Sequence, residues 1–300
     1  MSFRVSSNTF PESLKNNLAR LNQEQSKLLL QATTGQRITK PSDDAPAMAR
    51  ILDYQSGKRE VAQFSRNANR AHIMTQSSYN ALDKMRDIST HAQEIGASTN
   101  NELAAEKFAP YAKEVDGMLE QAVNLLNSKH LGDSLFAGNQ SDVQPFQVTR
   151  DVNNKITAIT YNGATTASAK YDVAENTNLS PVLDGSEAQG LLSSLDNLRL
   201  LRDALEASDS TAVAALEPSL RADGDKVIAS LGTLGAKLTR IEGAKTQNST
   251  RFADIDKSIS NEADVDFVST IQKLNQVQMG LQTAMQAGAR ALSLSILDFI

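Results

Sequence analysis

Two apolar stripes at heptad spacing, one near each end of the chain, constrain the fold more than any other feature of the sequence. The first advances by alternating steps of four and three residues through Leu14, Leu18, Leu21, Gln25, Leu28 and Ala32. The second follows the same rhythm through Phe267, Ile271, Leu274, Gln278, Leu281, Met285, Gly288 and Leu292. A period of 3.5 residues is typical of helices that pack against other helices. Each end of the chain is therefore predicted to be a helix that needs a partner.

Helical patterning also dominates the segments between these stripes. Apolar residues at helical spacing run from Ala47 to about Ile95, from Phe108 to Leu125, and from Val227 to Ile259. At 1.5 Å per residue, helices of roughly 30 to 50 residues would be about 45 to 75 Å long. The chain has only nine Phe, five Tyr and no Trp, which suits narrow helical seams better than a thick core. We predict a mainly α fold, an elongated rod of long antiparallel, coiled-coil-like helices.

The middle of the chain loses the helical period. Val143–Val182 is rich in Val, Thr, Ile, Asn and Gly, and Asn153–Asn154 is a plausible hairpin turn because Asn tolerates positive φ. Lys170–Val173 is a further candidate strand. We predict a small β domain inserted at one end of the rod, which leaves the two terminal helices paired at the other. With Gln25 and Gln278 in the seam this pair would be marginal alone, which favours assembly of several copies.

Few residues are candidates for a catalytic, metal-binding or nucleic-acid-binding site. The chain has no cysteine, its three histidines fit no metal-ligand spacing, and its net charge of −5 provides no basic surface for nucleic acid. The adjacent Asp43 and Asp44 could be a metal site, a catalytic carboxylate pair or a helix cap. Because a helical pattern with Pro46 in its first turn follows them, local physics favours the cap.

Targeting signals are also sparse. The first residues, MSFRVSSNTF, contain no apolar core of a secretory signal, and no apolar run approaches the ~20 residues that span a bilayer. We expect no membrane insertion. If the protein leaves the cell, it needs another export route.

Several motifs resemble a known family. The segment from Gly35 to Asp44, GQRITKPSDD, is similar to the amino-terminal signature that bacterial flagellins share with flagellar hook-filament junction proteins. Three further segments resemble the junction proteins: Leu131–Gly138, Pro145–Phe146 and the last residues, Leu292–Ile300. Arg66–Asn69 is similar to a motif of the whole superfamily. One departure is Ala45, which stands where the junction family usually has proline.

The resemblance implies a structural protein without enzymatic activity or cofactor. Such a protein would leave the cell unfolded through the flagellar type III pathway, without a cleaved signal peptide, after an export chaperone has held its carboxyl-terminal region. It would assemble as an extracellular ring of identical subunits between a hook-associated protein on the hook side and flagellin on the filament side. Two alternatives remain: flagellin itself, and more remotely a hydrolase or metal enzyme that uses Asp43 and Asp44.

The resemblance also implies roles for residues and segments. The spoke joining inner and outer helices would be Thr34–Leu52. Independently of the resemblance, charge-paired contacts between subunits are expected at Arg37, Lys40, Asp43 and Asp44, because these residues lie outside any predicted hydrophobic core. The assembly interface would comprise Leu14, Leu18, Leu21, Leu28, Phe267, Ile271, Leu274, Leu281, Met285, Leu292, Ile296 and Leu297. The expected division is an inner helix with the spoke at 1–40, helical rod at 41–142, β insert at 143–189, returning rod at 190–262 and inner helix at 263–300.

Overall fold

The fold is mainly α, as predicted. The computed structural model describes the backbone of residues 9–99, 105–165 and 169–297, and the side chains of 12–99, 108–165 and 169–290. The helices are α1 (Thr9–Thr34), α2 (Ala45–Thr99), α3 (Ala105–Leu126), α4 (Gly185–Gly190), α5 (Leu192–Glu206), α6 (Ser210–Ala263) and α7 (Phe267–Leu297). The strands are β1 (Lys129–His130), β2 (Asp133–Ser134), β3 (Phe146–Arg150), β4 (Ile156–Tyr161), β5 (Tyr171–Ala174) and β6 (Thr177–Leu179).

The chain forms two compact units. The first, which we call the terminal unit, comprises Met1–Arg59 and Phe252–Ile300, and the second, the central unit, comprises Glu60–Arg251. Both α2 and α6 contribute residues to each unit. Within the described residues, no helix is sufficiently long and apolar to cross a membrane.

In the terminal unit, α1 packs antiparallel against α7. Leu28 of α1 is buried with Leu274 and Val277 of α7, and Leu21 packs against this cluster. Every residue of the stripe predicted on α1 is buried or half-buried. The predicted pairing of the terminal helices is confirmed.

The inner face of α7 differs from the predicted stripe. Val277 is buried whereas Gln278 is exposed, and the predicted stripe residues Phe267 and Met285 are 56% and 49% exposed. Burying Val277 removes an aliphatic side chain from water without desolvating an amide, so this face is preferred. The heptad stripe predicted from the sequence is therefore wrong at Gln278 and Met285, because the inner face of α7 lies one position earlier in each case.

The central unit has the larger core. Helices α2, α3, α5 and α6 surround it, together with β3 and β4, and Phe108, Phe136 and Phe146 are fully buried there. Charged side chains are also buried in this unit: Arg202 is 3% exposed and donates to Asp116 Oδ1 at 2.9 Å and to the backbone oxygen of Ile156 at 2.8 Å. This arginine thereby connects α5 to α3 and to β4.

In the described part of the chain, the β structure consists of three separate two-stranded antiparallel sheets, β1–β2, β3–β4 and β5–β6, where the sequence predicted one β unit. The hairpin predicted at Asn153–Asn154 is present, and Asn154 has φ of 65°. The first strands begin at Lys129, before the predicted boundary at residue 143. Because β1 and β2 have two residues each, they leave no alternating pattern to detect.

Candidate functional site in the terminal unit

The residues predicted to form a spoke lie where two helix connections meet. We call this region the joint, meaning residues 35–44 between α1 and α2 together with residues 264–266 between α6 and α7. The amide of Val265 donates to the oxygen of Gly35 at 2.9 Å, and the amide of Arg37 donates to the oxygen of Ala263 at 2.6 Å. Gln36 and Asp264 consequently form an antiparallel bridge.

Gly35 ends α1 as the sequence predicts. Its φ is +71°, and its amide donates to the oxygen of Gln31 at 2.9 Å. Glycine adopts this left-handed conformation without the steric cost that a Cβ imposes. The chain can therefore turn sharply into the joint.

Asp43 connects the joint to α1. Its Oδ2 accepts hydrogen bonds from the amides of Thr39 at 3.2 Å and Lys40 at 3.1 Å, while Oδ1 lies 3.0 Å from Lys27 Nζ. The hydrogen bond from Lys27, with those from the two amides, lowers the pKa of Asp43 to about 2. A carboxylate held in its ionised form by these donors fixes the backbone of the loop.

Asp44 begins α2. Its Oδ1 accepts from the amide of Ala47 at 3.1 Å, which is the hydrogen bond of a helix N-cap, and its Oδ2 accepts from Arg37 at 3.1 Å. The Ala47 amide and the Arg37 guanidinium lower the pKa of Asp44. The interpretation of this aspartate as a cap agrees with the geometry.

A second arginine connects the start of α2 to the end of α6. Arg50 donates from Nε and a terminal nitrogen to the two oxygens of Glu262, at 2.9 and 3.0 Å. This hydrogen-bonded pairing lowers the pKa of Glu262. Arg37 also donates to the backbone oxygen of Glu262 at 2.9 Å, so the two arginines converge on one residue.

Beneath these polar contacts lies a small apolar cluster. Ile38, Ala47, Ile51 and Ala263 are buried together, and Met48 packs against them. The cluster joins the loop to the ends of α2 and α6. Polar and apolar contacts therefore hold the same three segments together.

The structure brings three of the four predicted spoke residues into contacts within one chain. Arg37 pairs with Asp44, and Asp43 pairs with Lys27. Lys40 is exposed and contributes its amide to Asp43. That these residues contact neighbouring subunits stays a prediction.

Sequence reasoning missed Lys27, Arg50 and Glu262. Lys27 lies on α1 outside the heptad stripe and reads as an ordinary solvated lysine. Arg50 and Glu262 are 212 positions apart, and only the fold brings them together. Among the described residues, no group of three acidic or imidazole side chains could hold a metal ion.

The terminal helices expose several apolar side chains. On α1, Leu29 is 53% and Leu30 is 43% exposed, and on α7 Val268 is 67% and Met279 is 62% exposed. Together with Phe267, these residues form what we call the outer apolar set. Exposed large apolar side chains on these two helices could be covered by helices of a neighbouring subunit.

The remaining predicted interface residues divide into two groups. Leu14, Leu18, Leu281 and Ile271 are half-buried, and Leu14 lies directly against Gly288. The side chains of Leu292, Ile296 and Leu297 lie outside the described residues.

Comparison with known proteins identifies relatives of this chain. Residues 5–141 match the family model for the bacterial flagellin N-terminal helical region. Flagellar hook-associated protein 3 of Escherichia coli is 25% identical over 292 residues, covering 89% of this chain and 90% of the relative. The protein of that name from Salmonella typhimurium is 25% identical over 303 residues, covering 94% of each.

Solved structures share the fold. The crystal structure of FlgL from Bacillus cereus has a TM-score of 0.59 at 20% identity, covering 69% of this chain and 99% of that one. A putative flagellar hook-associated protein from Vibrio parahaemolyticus has a TM-score of 0.63 at 16% identity, covering 74% and 100%. The sequence matches and the shared fold together confirm the resemblance found in the sequence: this chain is similar to flagellar hook-associated protein 3, and its residues 5–141 match the flagellin N-terminal helical region.

Proposed function

We propose that this protein is a structural component of the bacterial flagellum that joins the hook to the filament. The observation that carries the proposal is the similarity to two proteins named flagellar hook-associated protein 3 over 90% and 94% of their lengths. The protein acts by binding neighbours and carries out no reaction.

Identical subunits assemble as a ring through their terminal helices. The outer apolar set supports this proposal, because covering exposed leucine, valine and methionine side chains with a neighbouring helix removes apolar surface from water and stabilises the assembly. The joint supports it as well, since its ion pairs and apolar cluster hold the loop after α1 and the ends of α2 and α6 in one arrangement. A subunit with a fixed joint presents its terminal helices in a defined direction.

The subunits reach this position by export. We propose that the chain passes through the flagellar type III pathway without a cleaved signal peptide, and that an export chaperone binds its carboxyl-terminal region beforehand. On the assembled flagellum, outside the cell, it contacts a hook-associated protein on one side and flagellin on the other. The spoke contacts between subunits would involve Lys40 first, because Arg37, Asp43 and Asp44 already have partners within the chain.

Complementation tests the proposed function. A strain that lacks its own hook-associated protein 3 should regain motility when it expresses this chain, and flagellin should move from the culture medium into attached filaments. A matched control is the same chain without residues 292–300. Wild-type chain that is exported but leaves flagellin in the medium would contradict the proposal.

The alternative is that the chain is flagellin, the filament subunit. The match to the flagellin N-terminal helical region is compatible with this, but the two relatives matched over almost their whole length are hook-associated proteins. The alternatives differ in polymerisation. Seeded with filament fragments, a filament subunit elongates without limit, whereas a junction subunit stops after a short assembly.

A further inference from the structure

Leu14 of α1 lies in a notch on α7 that is made by Gly288. A Cβ placed on Gly288 would be 2.6 Å from Leu14 Cδ2, which is far inside van der Waals contact. Gly288 is buried, and the leucine methyl is so close that any side chain at this position would have to displace the end of Leu14. Gly280, on the same helix, has no atom within 4 Å of such a Cβ. Of the two glycines on α7, Gly288 alone has this close approach.

The notch agrees in register with the other contact of this helix pair. Leu14 precedes Leu28 by fourteen positions, and Gly288 follows Leu274 by fourteen positions. Because Leu28 and Leu274 share one buried cluster, both contacts belong to a single antiparallel register. Fourteen residues are two heptads, so the same face of each helix is used at both levels.

A repetitive seam leaves register poorly specified without such a contact. Leucine recurs every seven residues at Leu14, Leu21 and Leu28, so that a slip by one heptad again brings leucine to the seam. In one slipped register Leu14 would face Leu281, and Gly288 would lose its leucine. In the other, Leu21 would face Gly288, and Leu14 would leave the notch. The joint fixes one end of the pair, but Leu14 lies about 30 Å along α1 from Gly35, at 1.5 Å per residue.

We propose that Leu14 and Gly288 are the register-determining pair of the terminal helices. Glycine within a helix is less favourable than alanine, and at position 288 its missing side chain leaves the room that Leu14 fills. The notch sets which residues of the outer apolar set lie side by side along α1 and α7. Its importance for assembly rests on the proposed function, whereas the register itself is a property of one chain.

Complementary substitutions test the pair by hydrogen exchange of the purified full-length chain at short labelling times. Gly288→Val should increase exchange several-fold in peptides that contain Leu14 and Gly288, while peptides from α3 stay unchanged and show that the chain is folded. Gly280→Val is the matched control and should leave all these peptides as in the wild type. Leu14→Ala combined with Gly288→Val should restore part of the lost protection, because alanine vacates the volume that valine takes.

The result that would overturn the proposal is equal exchange in Gly288→Val and Gly280→Val, or additive losses in the double variant. Absence of protection around Leu14 in the wild type would overturn it too. These outcomes are independent of the complementation assay. If Gly288→Val increases exchange as expected but a strain that expresses this variant swims normally, the pair still determines register. Only its role in assembly is then contradicted.

Discussion

Shortening Leu28 to alanine should separate folding of the terminal helix pair from its association with neighbours. Leu28 is 8% exposed and shares its cluster with Leu274 and Val277. Buried Leu→Ala substitutions cost about 2 to 5 kcal/mol, and a small cluster that can partly collapse belongs at the lower end, about 2 to 3 kcal/mol. The open fraction of the pair should therefore rise roughly 30- to 150-fold.

The matched control is the next residue. Leu29 is 53% exposed, so Leu29→Ala should change the stability of the isolated subunit by less than about 0.5 kcal/mol. Native-state hydrogen exchange of α1 and α7 measures the opening free energy in both variants. Incorporation into flagella should be impaired by Leu29→Ala even though its subunit is intact. Equal loss of protection in the two variants would refute the assignment of inner and outer faces.

Further predictions concern pH and packing. The stability that ionised Asp43 confers on the joint should be present above its ordinary pKa of 3.8 and be lost as pH falls through its folded pKa of about 2. Hydrogen exchange of joint peptides, followed as the pH is lowered, should show this loss in the wild type and not in Asp43→Asn. Hydrogen bonds that the His91 imidazolium donates to the carboxylates of Glu114 and Glu94 raise the pKa of His91. The stability that protonated His91 contributes is therefore complete below 6.5 and is lost as pH rises through the raised pKa. Glu114→Gln should flatten this part of a stability–pH curve measured by urea unfolding. Gly185→Ala should destabilise the central unit by about 1 to 3 kcal/mol in thermal unfolding because the new Cβ would lie 1.6 Å from a backbone oxygen, whereas Gly190→Ala, with open space, should not. An unchanged melting temperature for Gly185→Ala would contradict that packing.

Sequence periodicity predicted the helices well because their stripes are long. The stripe on α1 coincides with its inner face, and Asp44 was identified as a cap from the helical pattern that follows it. On α7 the apolar residues surround much of the helix, so the sequence offers two candidate inner faces that differ by one position. Only packing against α1 selected Val277 in place of Gln278.

Contacts between distant segments could not be predicted from the sequence. The bidentate pairing of Arg50 with Glu262 and the burial of Arg202 depend on which helices become neighbours, and charged residues carry no periodic signal of their partners. The notch at Gly288 belongs to the same class. In the sequence this glycine only weakens a helix, and its use appears once Leu14 is placed opposite.

The location of the chain on the flagellum tests the central proposal most directly. Flagella purified from a complemented strain can be labelled with antibodies against a tag inserted after Val152, which is fully exposed at the β3–β4 turn. We expect a single labelled band at the boundary between hook and filament. Label distributed along the filament would show a filament subunit, and flagella with attached filaments but no label at the boundary would contradict the proposed function.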